Sequence, residues 1–179
     1  MVSAAAVAAV VACDSTALHS PESGIRDGRD GRDGGKVNPH GGADATAAYG
    51  TSVLPVDYHK RFKKVNHARF VSLGHAAGRW EVDVWANEAA LAALASHAHD
   101  VPEGAVAVQE HYERTGKDVS SVGPVMVMEK RAKGFASEHG DWSFTAVGSA
   151  GQLVKRGVIE QCAGCHDNAP YGGLFPIVK

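Results

Sequence analysis

Between Arg79 and Trp85 the chain reads RWEVDVW, an unbroken alternation that puts Trp80, Val82 and Val84 on one side of an extended backbone and Arg79, Glu81 and Asp83 on the other. Successive side chains of a strand point to opposite faces, so the pattern predicts a strand with one buried face. Such a strand needs partners, and the following residues supply them. VPEGAVAVQEHYE is a Pro-Gly turn entering a second strand with Val106 and Val108 on one face; VGPVMVMEKR is a third, and DWSFTAV from Asp141 a fourth. Helical spacing occurs three times. PVDYHKRFKKVNHARF carries Tyr58, Phe62, Val65 and Phe70 as one amphipathic helix entered after Pro55. NEAALAALASHAHD has Asn87 as N-cap, Glu88 in the first turn, and Leu91, Leu94 and Ala95 on one stripe. QLVKRGVIEQCAGCH spaces Leu153, Val154, Val158, Ile159 and Cys162 as a last helix. Strands and helices mixed without regular alternation predict an α+β fold, an antiparallel sheet of about four to five strands flanked by helices.

The patterned part is only the later portion of the 179 residues. Residues 1–13, MVSAAAVAAVVAC, form an apolar run too short to span a bilayer and end in a sequence resembling a bacterial lipoprotein signal, with Cys13 as the lipid attachment site. The run departs from that pattern in having no Lys or Arg before it. Residues 14–52 are rich in Gly and Asp and include RDGRDGRDGG; with almost no large apolar side chains they read as a flexible tether. An Arg in each repeat opposes calcium binding by the aspartates. Residues 53–179 form the folded domain. These features predict a periplasmic or cell-surface protein held to the membrane by its lipid. A net charge of -2 with no long block of one sign excludes nucleic acid as the main partner.

Near the end, Cys162, Cys165 and His166 stand in the C-x-x-C-H order of covalent haem attachment. The two thiols must lie about one helical turn apart to meet the two vinyl groups, and the next residue must place an imidazole under the iron. A zinc knuckle would need a second pair of ligands at the right spacing, and a redox C-x-x-C a thioredoxin-like context; neither is present. One covalent haem c per chain is therefore expected, with His166 as the metal ligand. With one cysteine lipidated and two in thioethers, none remains for a disulfide. No methionine follows His166, and Met126 and Met128 alternate with valines on a strand as core residues do. The domain histidines His59, His67, His75, His97, His99, His111 and His139 keep bis-histidine ligation open.

Taken in order, HAAGRWEVDVWANEAALAAL, PEGAVAVQE, VGPVMVMEKRAKGF, GDWSF and CAGCH resemble the cytochrome P-460 family and its relative cytochrome c′-β, from about Phe62 to the C-terminus. The resemblance implies a homodimeric α+β haem domain with one protein ligand on the iron and an open distal side. In one branch it implies hydroxylamine oxidation and a lysine–porphyrin cross-link; in the other, binding of nitric oxide or carbon monoxide. Gln109 stands where the resemblance places that lysine, and an amide cannot form such a bond. Gln109 is left as a distal hydrogen-bond donor or a cap on the sheet edge, and Lys130 as the substitute lysine to watch. Phe70, Phe135 and Phe144 are candidate pocket walls. The expected partners are a small gaseous or nitrogen-oxide ligand and a redox protein. The competing reading is a lipoprotein electron carrier with six-coordinate haem.

Overall fold

The computed structural model describes residues 53–115 and 118–177. The signal segment with Cys13 and the tether of residues 14–52 lie outside the described residues. Among the described residues three short α-helices, α1 (Tyr58–Arg61), α2 (Glu88–Ser96) and α3 (Glu160–His166), accompany seven strands. The strands are β1 (Lys63–Lys64), β2 (Phe70–Ser72), β3 (Trp80–Ala86), β4 (Val106–Thr115), β5 (Asp118–Lys130), β6 (Trp142–Val147) and β7 (Leu153–Gly157). They form one antiparallel sheet in the order β1-β3-β4-β5-β6-β7, with β2 also paired to β3. The α+β architecture is the one the patterning predicts.

Two predicted helices are shorter than their spacing suggests. The first stops after Arg61, because Phe62 turns extended and the chain runs on as two edge strands along β3. Asn66 anchors that path. Its buried side chain accepts from the Val84 N–H at 2.8 Å and donates to the Val82 carbonyl and to Asp83, taking the place of ladder bonds. The last helix begins only at Glu160. Residues Leu153–Gly157 instead cover the edge of β6 with backbone hydrogen bonds, leaving Leu153 and Val154 about half exposed. Gly157 then turns with φ 111°, a left-handed value that separates strand from helix. In α2, Asn87 caps the Ala90 N–H as predicted, but Ala90 and Ala93, not the leucine stripe, are the buried residues.

The sheet is covered on both faces. Trp142, Phe144, Ala146, Ala90, Ala93, Ile159, Ala163 and Leu174 form the core on the α2 and α3 side. Tyr58, Val106, Val108 and Val127 form a second cluster on the other side. The supposed polar face of β3 is therefore buried too, and Asp83, only 5% exposed, is held by Lys64, Arg69 and Asn66. Beside it Glu110 accepts from the Tyr58 hydroxyl (2.7 Å) and the Trp85 indole (2.8 Å), and His59 Nε2 lies 2.7 Å away. Burial alone would raise both carboxyl pKa values, but these donors outweigh it and hold both below the usual range. A carboxylate with a depressed folded pKa contributes stability above its unfolded pKa, and that stability is lost as pH falls through the folded value. The urea midpoint, followed by circular dichroism, should hold from pH 7 to 5 and fall steeply below about pH 4. Glu110→Gln should flatten part of that fall.

Candidate functional site

Helix α3 is seated by Ala163, fully buried against the core, and by Ile159 just before it. That seating fixes the rest of the helix. Cys162 and Cys165 lie three residues apart, one turn along, and His166 closes the last turn. The His166 Nδ1–H donates to the Gly173 carbonyl at 2.7 Å. A carbonyl can only accept, so Nδ1 carries the proton and Nε2 keeps its lone pair. Burial pushes the His166 pKa down, against the Gly173 carbonyl and Asp167, which favours the neutral ring. Phe144 and Phe175 flank the imidazole at 5.5 and 5.3 Å between ring centroids.

The loop that supplies the carbonyl is itself pinned. Trp142 Nε1 donates to the Gly172 carbonyl at 2.8 Å, and Gly173 lies directly against the Trp142 ring. Outside α3, His139 Nδ1 meets Asp167 at 2.8 Å, and the side-chain hydrogen bond raises the pKa of His139. Cys162 is a free thiol, partly buried against the core, and burial pushes its pKa up. Cys165, one turn further along α3, is partly buried.

Cross-strand partners share a face, which tells what lies beneath α3. Ala107, Met128 and Phe144 are in register across β4, β5 and β6, as are Gln109, Met126 and Ala146. Phe144 touches His166, so Gln109 and both methionines belong to the face that His166 overlies. Met126 and Met128 pack against the core as their alternation with valine predicts. Gln109 sits on β4 inside the sheet and caps no edge; its amide donates to Ser72 Oγ at 3.2 Å. Lys130 donates to the Gly140 carbonyl at 2.7 Å. Of the three candidate walls Phe144 flanks His166, whereas Phe135 is 44% exposed and lies beneath the Arg131 guanidinium. Phe70, partly buried, pairs with Val82 on the strand edge.

Sequence reasoning did not single out His75 and His111, which are 36 residues apart and 3.0 Å from ring to ring. Each is one histidine among several until β3 and β4 pair. His59 is spent on Glu110 and His97 is stacked on Tyr171.

A neutral imidazole with one bare nitrogen, two cysteines a helical turn away and aromatic rings beside it suit a haem iron and its porphyrin. No curated protein matches the chain. The family model described as Cytochrome P460 matches residues 61–171, which take in β1 through α3 and more than half of the sequence. On that match, and with a site whose donors fit the cofactor, the chain belongs to the cytochrome P460 family of haem proteins.

Proposed function

We propose that the chain carries one haem c, bound through Cys162 and Cys165 and ligated by His166 Nε2, with the opposite iron position open to small ligands such as nitric oxide or carbon monoxide. Hydroxylamine is the candidate substrate. One observation carries the proposal: the Gly173 carbonyl fixes the His166 tautomer so that Nε2 is the free donor, the arrangement that orients a metal-binding histidine. When bound, the haem supplies an iron that takes ligands and exchanges electrons. The residues of the chain do the rest. His166 is held neutral and oriented, Phe144 and Phe175 fix its ring plane, and the packed methionines are not offered as ligands. With Gln109 engaged by Ser72 and Lys130 by Gly140, no lysine cross-link is proposed. A periplasmic location through a lipid on Cys13, a redox partner and a homodimer complete the proposal.

The second reading, a six-coordinate electron carrier, is favoured by one observation: His75 also has an Nε2 without a partner among the described residues. Absorption spectra of the haem-loaded protein, oxidised and reduced, with and without carbon monoxide, separate the two. The open site predicts a high-spin spectrum that shifts with carbon monoxide. A low-spin spectrum indifferent to the gas sinks it. A strong red shift of the reduced main band before any gas is added means that a lysine cross-link is present after all.

A further inference from the structure

Ser72, His75, Gln109, His111 and the Pro124 carbonyl form one hydrogen-bonded line across β2, β4 and β5. His111 Nδ1 faces the Pro124 carbonyl at 2.9 Å and must donate to it, so the Nε2 of neutral His111 is an acceptor. His75 Nδ1, 3.0 Å from that Nε2, is then the donor. Ser72 Oγ stands 3.4 Å from the same His75 nitrogen and takes the Gln109 amide proton on its other side. Both rings are thereby fixed in orientation and tautomer, and His75 Nε2 is left with a lone pair that no described residue uses. Burial keeps the pair uncharged. It pushes His111 down to about 4 and, with the added repulsion of His111 and His166, His75 down to about 3.

The placement gives the lone pair a use. His111 follows Gln109 on the face of β4 that His166 overlies, and His75 is hydrogen-bonded to His111. Yet His111 is four residues along the strand from Ala107, which is in the row of Phe144, roughly 13 Å at strand spacing. That offset sets His75 along the sheet from the row of Phe144. Directly after His75, Ala76 opens a 3-10 turn at φ 48°, a left-handed value that costs an alanine roughly 1 kcal/mol, so the loop presenting His75 is kept in place by its surroundings.

We propose that His75 Nε2, positioned by His111, is a hydrogen-bond acceptor for ligands on the open iron and selects those that carry an N–H or O–H over diatomic gases that carry none. This rests on the open-site reading and specifies the ligand class of that site. His75 is the specificity residue, and His111 is a positioning residue that acts through it.

The test is ligand affinity in haem-loaded protein, read by absorbance without turnover. Anaerobic hydroxylamine is added to the ferric form and carbon monoxide to the ferrous form of the wild type and of His75→Leu, His75→Gln, His111→Leu and His111→Gln. His75→Leu should weaken hydroxylamine about tenfold, the worth of one hydrogen bond, and change carbon monoxide less than about twofold. His111→Leu should share the selective loss because the His75 ring is released. The two glutamine variants, which keep an acceptor, should retain most of the affinity and show that the fold survives. Equal weakening of both ligands, or of neither, overturns the proposal while leaving the open site intact. A low-spin wild type that becomes high-spin on His75→Leu makes His75 an iron ligand and overturns both. A wild type that binds neither ligand overturns both as well.

Discussion

Gly173→Ala is expected to lower stability by about 3 kcal/mol, or roughly 10 °C in Tm, and to impair haem binding in the same step. The residue has φ 99°, where an L side chain is strained, and its Cβ would stand 2.8 Å from Trp142 Cδ1 and 3.0 Å from Cε2. Trp142 is 2% exposed and its indole is tied to Gly172, so it has no free direction in which to move. Relief must come from the loop, and the loop carries the carbonyl that orients His166. Gly151→Ala is the matched control. Its φ of 82° is similar, but a Cβ there meets nothing within 4 Å, so only the backbone term of about 1 kcal/mol should appear. Thermal melts of both variants, with haem content measured alongside, check the prediction. Equal losses would mean that the contact with Trp142 has no part in it.

The second large effect is expected at His166. In haem-loaded protein, His166→Gly should change the absorption spectrum from that of the wild type while leaving the haem covalently bound, because the proposed attachment and ligation rest on different side chains. Exogenous imidazole should then restore the spectrum by taking the place of the missing ring. Mass spectrometry under denaturing conditions reads attachment, and absorbance reads ligation. If haem is lost from the variant under those conditions, the thioethers proposed at Cys162 and Cys165 are wrong. If the spectrum is unchanged, the iron ligand is another residue.

Several elements were legible before any coordinates. Alternation over Arg79–Trp85, Val106–Val108, Val125–Met128 and Trp142–Ala146 defined four strands, because period two is a property of the backbone and survives wherever one face is buried. Asn87 announced the start of α2 for an equally local reason: a short side-chain oxygen satisfies a helix N–H three residues on. The C-x-x-C-H spacing placed both cysteines and the histidine on one helix. Where apolar spacing was read without knowing its partner, it misled. Leu153 and Val154 fit a helical stripe, but β6 offered an open edge and its backbone hydrogen bonds prevailed. Between Phe62 and Phe70 helical spacing lost to the buried side chain of Asn66, whose contacts with β3 are invisible along the chain.

The sequence by itself determined which residues can form strands, where α2 begins and which residue types are offered to a haem, since each follows from contacts within a few positions. Only the tertiary structure decided the chemistry of those residues. The proton position on His166 depends on a carbonyl seven residues away, which Trp142 of β6 holds in place. The bare nitrogen of His75 depends on a histidine of β4 and, through it, on a carbonyl of β5. The tautomer of an imidazole is set by whichever group meets its other nitrogen, and in this fold those groups meet only after the strands have paired.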